Sequence, residues 1–395
     1  MLISNEPSLS WSSLVASGKV AKLPAYLNHR STRYVFLARN ALYHGLWLLG
    51  IQPGQKILVP AYHCAAMVEP IRAFGAELIF YRINTDCSPD FKDLETKLDV
   101  HTKAVISIHY FGFPAPIGEF QAFCAAHELF LIEDCAHVFI DDSARNTLGT
   151  HGHISIFSFR KFLPVYDGGC LVINKKLSQD GLRLRKEDLA FSSKVTKNLL
   201  EKLIGNPSTT LTRHLRSGLA GLYRGVRNIF PRSVVKSKVL TFSVTSSEFD
   251  LSLVDLPMSR LSQHILHNAD FDNIVKKRRS NYTYLLNATT GLPGFAPLHP
   301  DLPHNLCPWV FPAFSTQVKD LHKRLRERGI AAFAWDAVIH PSLPLAQFPD
   351  AAYLYANLIC LPIHQDLMNR ELDMMVSILK DVLKEDAPLS LTCIK

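Results

Sequence analysis

Two residues that could react with a carbonyl compound or hold a charged ring stand at the ends of short apolar runs. Asp134 ends the run Phe130-Leu-Ile-Glu-Asp134, and Lys161 ends the run Phe157-Ser-Phe-Arg-Lys161. A lysine amine can form a Schiff base with a carbonyl-bearing cofactor, and a carboxylate can keep a pyridine nitrogen protonated. The pair therefore predicts a pyridoxal 5'-phosphate (PLP) enzyme, in which Lys161 carries the cofactor and Asp134 holds its ring nitrogen.

The elements that must position these residues alternate between strand and helix patterns from about residue 34 to residue 174. The predicted strands are 56–60, 77–83, 104–109, 129–133, 155–159 and 170–173. The predicted helices between them are 38–49, 65–74, 90–98 and 118–127. This alternation favours an α/β fold with a large, mostly parallel sheet and helices on both faces. Such sheets bind ligands at the carboxyl ends of their strands, which places Asp134 well for chemistry.

The pattern changes after about residue 250, and the length of 395 residues is enough for two domains. We predict a large PLP-binding α/β domain over residues 1–250, with a basic helical insertion at about 175–244. A smaller α+β domain is predicted over residues 251–395. Its predicted elements are helix 261–286, strand 309–314, helix 318–328 and a final helix within 366–383.

The net charge of +8 is concentrated in one segment of the chain. Residues 175–238 contain 15 Lys and Arg against 4 Asp and Glu, a net of +11, so the rest carries −3 (8 minus 11). This local concentration argues against a nucleic-acid partner. The eight cysteines include no CxxC pair, which is typical of reduced thiols in a cytoplasmic protein. The pair His151 and His153 alone is a weak metal motif, so no metal is predicted.

These motifs together resemble the DegT/DnrJ/EryC1/StrS family of fold-type-I, PLP-dependent sugar aminotransferases. That family has an Ile-Glu-Asp-x-Ala-Gln/His stretch, a Phe-Ser-Phe run before a lysine, and an acidic residue followed by two glycines after it. The corresponding residues here are 132–137, 157–161 and Asp167-Gly168-Gly169. Further similar motifs lie at 54–60, 108–112, 257–259, 278–282 and 361–364.

The resemblance implies a homodimer with its site near the subunit interface. It implies transfer of an amino group from an amino acid, such as glutamate, to a keto-sugar nucleotide in cell-surface polysaccharide or related biosynthesis. Lys161, once released from the cofactor, would act as general acid and base. His137 is expected beside the phenolic oxygen of the cofactor ring.

The resemblance also implies further cofactor contacts. The family's Ser-Gly-Thr at the start of the phosphate-binding helix is Ala38-Arg39-Asn40 here. Backbone amides at a helix start can bind phosphate whatever the side chain, so Arg39 and Asn40 are kept as candidates. Ser158 is a candidate phosphate ligand. His63 and Cys64 fall at the position where the family stacks an aromatic ring on the cofactor.

Several alternatives stay open from the sequence. A sugar dehydratase is one, although relatives with that chemistry carry histidine in place of the lysine. Another PLP enzyme of small molecules and a non-catalytic, membrane-docked relative are the others. Taken singly, Lys161 could be a solvated surface charge, Asp134 a helix cap and His137 a satisfied core histidine.

Residues 211–230 combine cations with an apolar stripe at helical spacing. The cations are Arg213, Arg216, Arg224 and Arg227, set among leucines, Tyr223 and Phe230. This composition predicts an interfacial helix that attaches the protein to the anionic inner face of a membrane. The alternative is that the apolar stripe packs on the protein's own core.

Overall fold

A computed structural model of the chain describes residues 2–14, 27, 31–139, 147–177, 181–205 and 248–385. Within these ranges the strands form a seven-stranded sheet and a three-stranded sheet. The strands of the large sheet are β1 (Thr32–Val35), β2 (Lys56–Pro60), β3 (Glu77–Tyr81), β4 (Thr102–Ile108), β5 (Phe130–Cys135), β6 (Ile154–Ser158) and β7 (Gly169–Ile173). Those of the small sheet are β8 (Phe295–Pro297), β9 (Phe311–Ser315) and β10 (Leu358–Leu361).

The large sheet has the order β1-β7-β6-β5-β4-β2-β3. Strands β6, β5, β4, β2 and β3 run parallel, and β7 and β1 add an antiparallel edge. The predicted α/β fold with a mostly parallel sheet is therefore confirmed. Strands β4 and β5 are buried over nearly their whole length, as expected of parallel strands covered on both faces.

The helices that cover this sheet follow the sequence closely. They are α2 (Ala38–Leu48), α3 (Ala65–Phe74), α4 (Phe91–Thr96) and α5 (Ile117–Ala126), after the short α1 (Trp11–Leu14). Helix α3 ends at Gly75, whose φ of 89° suits a residue without a side chain. Helix α2 lies against β6 and β7, so its first turn faces the strands that flank Lys161.

The C-terminal half contains α7 (Arg260–His267), α8 (Phe271–Thr289), α9 (Leu321–Glu327), α10 (Pro349–Asn357) and α11 (Asn369–Glu385). The single helix predicted over 261–286 is wrong, because α7 and α8 are separate. Asp270 caps α8 by accepting a hydrogen bond from the Asn273 N–H at 3.0 Å. Asparagine and aspartate between the two helices favour a cap over a continuous helix.

Part of the basic insertion is described as helix α6 (Leu189–Gly205). The segment 211–230 lies outside the described residues, as does most of the predicted insertion. No helix in the described part of the chain is long and apolar enough to cross a membrane. The division into domains at residue 250 stays a prediction.

Candidate active site

The carboxyl end of β5 carries two adjacent acidic residues, Glu133 and Asp134. Their side chains point to opposite faces of the sheet, as those of successive strand residues do. Asp134 faces a cavity and is 8% exposed. Its Oδ1 accepts a hydrogen bond from the Ala136 N–H at 2.9 Å. Burial raises the pKa of Asp134, while that hydrogen bond and the nearby Lys161 cation oppose the rise. The carboxylate is thus desolvated and turned toward the space where a ligand would lie.

Lys161 reaches the same cavity from the other side. It ends a single turn of 3₁₀ helix, Phe159–Lys161, directly after β6. Burial lowers the pKa of Lys161 to about 8, against the attraction of Asp134, which raises it. Its Nζ lies 4.3 Å from the centre of the Trp309 ring. A large share of this amine is therefore neutral near pH 8, as a lysine that attacks a carbonyl must be.

His137 forms part of the cavity wall beside these two residues. Its Nδ1 accepts a hydrogen bond from the Phe111 N–H at 3.2 Å, so the ring proton lies on Nε2. Burial, with the neighbouring Lys161 and His109 charges, holds the pKa of His137 well below 6.5. Its ring stacks on Trp309 with 4.3 Å between ring centres. His137 is therefore a neutral imidazole that can donate one hydrogen bond from Nε2.

The cavity has a volume of about 370 Å³. Six of the eight predicted site residues line it: Arg39, Cys64, Asp134, His137, Ser158 and Lys161. The set combines an amine, a carboxylate, an imidazole, a hydroxyl and a guanidinium group around one space. These are the groups that a PLP site needs, so the residues present fit this cofactor.

Asn40 and His63 do not line the cavity. The Asn40 side-chain amide donates to the carbonyls of Leu253 and Val254 at 2.9 and 3.2 Å, which ties α2 to the segment before α7. The His63 ring is fully buried and contacts the Pro60 carbonyl through Nδ1 at 2.8 Å. Both side chains are thus turned into the protein, and Cys64 is the member of its pair that faces the cavity.

The Asp167-Gly168-Gly169 motif fastens the loop after Lys161. The Asp167 carboxylate is fully buried and accepts hydrogen bonds from the Ser259 N–H at 2.6 Å, the Ser259 hydroxyl at 2.8 Å and the Ser262 hydroxyl. A side chain at Gly169 would collide with the backbone of Leu37 and Ala38, at the start of α2. The motif therefore joins α7, the Lys161 loop and the first turn of α2.

The residues of the cavity wall that were not predicted include Glu6, Arg160, Trp309 and Trp335. Arg160 could have been found, since it directly precedes Lys161. The other three come from the N-terminus and from the C-terminal half, and nothing in their local sequence points to a ligand. Burial lowers the pKa of Arg39 to about 10, and the nearby Arg160 charge lowers it as well. Burial also lowers the pKa of Arg160, against the attraction of Glu6 and Asp167.

Solved structures with a similar fold are aminotransferases, and they extend over nearly the whole chain. PseC of Helicobacter pylori, an aminotransferase of pseudaminic acid biosynthesis, aligns with a TM-score of 0.67 and 16% identity, covering 98% of this chain and all of the other. The aminotransferase TlmJ of Streptoalloteichus hindustanus aligns with a TM-score of 0.66 and 19% identity, over 98% and 99% of the two chains. The fold is therefore that of this class of enzymes.

Sequence comparison finds a family model that matches nearly half of the chain. Residues 21–206 match the DegT/DnrJ/EryC1/StrS aminotransferase family, which confirms the resemblance seen in the motifs. GDP-perosamine synthase of Escherichia coli O157:H7 is 34% identical over 143 residues, 35% of this chain and 39% of that protein. The enzyme of the same name from Vibrio cholerae is 30% identical over 164 residues, 40% and 45% of the two chains. The chain thus spans less than half the length of these curated relatives.

Proposed function

We propose that the chain is a PLP-dependent aminotransferase that moves an amino group from an amino acid, with glutamate as first candidate, to a keto-sugar nucleotide. The product would serve cell-surface polysaccharide or related biosynthesis. The observation on which this proposal depends is that Lys161, Asp134 and His137 line one cavity. Support for the sugar-nucleotide substrate comes from the family match and from the relatives named GDP-perosamine synthase.

PLP, when bound, supplies the electron sink that labilises bonds to the carbon bearing the amino group. Lys161 would hold the cofactor covalently and, once released, carry a proton at Nζ between donor and cofactor carbons. Its pKa of about 8 allows both protonation states at neutral pH. Asp134 would accept a hydrogen bond from the ring nitrogen and keep it protonated. His137 would donate from Nε2 to the phenolic oxygen.

The phosphate would lie near the first turn of α2. Arg39, Arg160 and Ser158 line this part of the site, and two half-buried guanidinium groups near each other favour an oxyanion. Glu6 also lines the cavity, but its carboxylate pairs with Lys202 at 3.1 Å. Replacing Arg39 and Arg160 by glutamine should weaken PLP binding by about tenfold each and leave pyridoxal binding, which has no phosphate to hold, nearly unchanged. Equal losses for both ligands would contradict this assignment.

The proposed reaction is tested by incubating the purified, PLP-loaded protein with glutamate and a panel of keto-sugar nucleotides. Mass spectrometry should find an aminated sugar nucleotide with at least one acceptor. The Lys161→Ala variant, loaded with PLP in the same way, is the matched control and should yield none. Failure with every acceptor, in a protein that does bind PLP, would point to a different small-molecule substrate.

We also propose a homodimer in the cytoplasm, in line with the family resemblance. Light scattering after size exclusion should give about twice the 44.4 kDa chain mass. The division into a large domain over 1–250 and a small domain over 251–395 remains part of this proposal. Limited proteolysis that cuts first near residue 250 would support that boundary, and a first cut inside β2 to β7 would contradict it.

Attachment to the inner membrane face through residues 211–230 is the last part of the proposal, and it depends on composition alone. Each cation near an anionic leaflet adds about 1 kcal/mol, which salt screens. Binding to liposomes should therefore need anionic lipid, fall with salt, and weaken when the four arginines become glutamine. Equal sedimentation with neutral and anionic liposomes, or none with either, would favour packing of this segment on the protein itself.

A further inference from the structure

Arg278 is a fully buried cation behind the cavity wall, on helix α8. It is 1% exposed, and each of its guanidinium nitrogens, Nε, Nη1 and Nη2, donates to an acceptor. Nη2 donates to the Lys161 carbonyl at 3.2 Å, Nη1 to the Trp309 carbonyl at 2.8 Å, and Nε to Gln365 Oε1 at 3.0 Å. One side chain therefore joins three segments that are far apart in the sequence.

Gln365 completes this contact. Its Nε2 donates to the Phe162 carbonyl at 2.8 Å, and the Arg278 guanidinium lies 4.7 Å from the centre of the Phe162 ring. Together the two side chains hold two successive main-chain carbonyls, those of Lys161 and Phe162. Such a guanidinium fork fixes direction as well as distance, because its donors are rigid and coplanar.

Burying this cation is costly, and the acceptors that offset the cost are neutral. Burial lowers the pKa of Arg278 to about 10. In the described ranges, no carboxylate oxygen lies within ion-pair distance of its guanidinium group. A purely structural contact at this place could use apolar side chains at lower cost. The cation is instead placed where the carbonyls of Lys161 and Trp309 come together.

Those two residues also touch through their side chains. The Lys161 Nζ lies 4.3 Å from the centre of the Trp309 ring, and Trp309 stacks on His137. Arg278 thus fixes the main chain at both ends of the contact between the amine and the indole face. An indole face stabilises a nearby ammonium group, so this contact bears on how readily Lys161 loses its proton.

We propose that Arg278, supported by Gln365, is a positioning residue that sets the Lys161 amine against the face of Trp309. The proposal rests on the proposed function, since it concerns how Lys161 captures PLP. Arg278 acts through the two carbonyls and touches neither cofactor nor substrate. Its loss lets the Lys161 turn and Trp309 move independently, so the amine spends less time in the orientation that reacts.

The test follows capture of PLP by Lys161 in protein freed of cofactor, with the adduct fixed by borohydride at successive times and pH values. Arg278→Gln and Gln365→Met should each slow capture at pH 8 by about tenfold or more and displace the midpoint of its pH profile. In the full reaction kcat should fall by a similar factor, with KM changed less than about threefold. Circular dichroism and the unfolding temperature identify any variant that fails to fold.

Arg279→Gln is the matched control. Arg279 is the next residue on α8 and donates to the carbonyls of Pro303 and Leu306, and neither of these described bonds goes to the Lys161 turn. Its variant should capture PLP within about twofold of the wild-type rate. A loss as large as that of Arg278→Gln would show a general effect of helix α8 and overturn the proposal.

A double-mutant cycle with Trp309→Leu decides whether Arg278 acts through the indole. If it does, the losses in capture rate caused by Arg278→Gln and Trp309→Leu are not additive. Additive losses, or folded Arg278→Gln and Gln365→Met variants that capture PLP at the wild-type rate, would overturn the positioning role. Wild-type protein that captures no PLP on Lys161 would instead overturn the proposed function, so the two failures are distinguishable.

Discussion

Glu133 and Asp134, adjacent at the end of β5, have carboxylates on opposite faces of the sheet that differ in their hydrogen bonding. Glu133 is fully buried, and its oxygens accept hydrogen bonds from the N–H groups of Gly149 at 3.0 Å, His151 at 2.6 Å and Gly152, and contact His109 Nε2 at 3.1 Å. Asp134 is nearly as buried, yet the only hydrogen bond described for its carboxylate is the one it accepts from the Ala136 N–H. The first carboxylate is saturated by the protein and the second faces a cavity.

The pKa values of Glu133 and Asp134 shift in opposite directions, because the two carboxylates differ in hydrogen bonding although both are buried. Burial raises the pKa of Glu133, but the hydrogen bonds from His109, Gly152 and Gly149 more than offset it, and the net change is downward. For Asp134 burial prevails, and the net change is upward. A buried acid is therefore a candidate for chemistry when the protein leaves its hydrogen-bonding capacity for a ligand.

The largest expected effect is that of Asp134→Asn, which keeps the shape and removes the charge. Turnover should fall by about 10³-fold, equivalent to about 4 kcal/mol of barrier, because the ring nitrogen loses its ionic partner. Stability should change little, since a single N–H bond is altered. Measuring kcat/KM and urea unfolding on one preparation checks both. Near-normal turnover would mean that Asp134 does not hold the ring nitrogen.

Glu133→Gln should give the opposite pattern. The new amide presents N–H groups to main-chain N–H donors, so we expect a loss of about 3 kcal/mol in the free energy of unfolding. The folded variant should keep kcat within about threefold. The loss should be full above pH 4.5, the ordinary pKa of a glutamate, and shrink as pH falls through the lower folded pKa, because wild-type Glu133 is then protonated as well.

The two histidines on these faces extend the comparison. His137→Asn should lower kcat/KM by about 10- to 100-fold, the value of a hydrogen bond to a charged oxygen. His109→Asn should leave kcat/KM nearly unchanged and cost about 1–2 kcal/mol of stability, since His109 contacts Glu133 and accepts from the Ala115 N–H at 3.0 Å. If both variants lose activity alike, the division between a structural and a chemical face is wrong.

The smallest expected effect is on the pH dependence of PLP capture by Lys161. Capture needs the neutral amine, so its rate should rise with pH around a midpoint of about 8 and not 10.5. At pH 8 about half of the amine is then neutral, against roughly 0.3% at the ordinary pKa. Asp134→Asn should move the midpoint lower, because the carboxylate favours the ammonium form. A midpoint near 10 in stopped-flow measurements would contradict the burial of this amine.

The sequence predicted six of the seven described strands of the large sheet, all but the edge strand β1, and the residues nearest the strand ends. Parallel strands that are buried on both faces can be recognised as continuous apolar runs. The spacing of the motifs predicted Asp134, His137 and Lys161 as site residues, and all three line one cavity. The prediction was less sharp for neighbours on one element. Arg39 and Asn40 are adjacent in α2, but successive helical residues point about 100° apart, and Arg39 alone of the two faces the cavity.

Contacts between distant segments could not be predicted from local patterns. Trp309 precedes β9 and Arg278 lies within α8, yet both meet the turn that carries Lys161. The arginine belongs to a helix that looks amphipathic and solvated in sequence, and its burial depends on packing against the Lys161 turn, Phe162 and Gln365. Tertiary placement therefore decided which of the charged residues of α8 is turned inward.

Borohydride reduction of the purified protein with bound PLP, followed by peptide mapping, tests directly whether Lys161 holds the cofactor. We expect one reduced phosphopyridoxyl group per chain, on Lys161, and none in the Lys161→Ala variant. A reduced group on a different lysine, or no adduct at saturating PLP, would contradict the assignment of Lys161 and with it the proposed chemistry of this cavity.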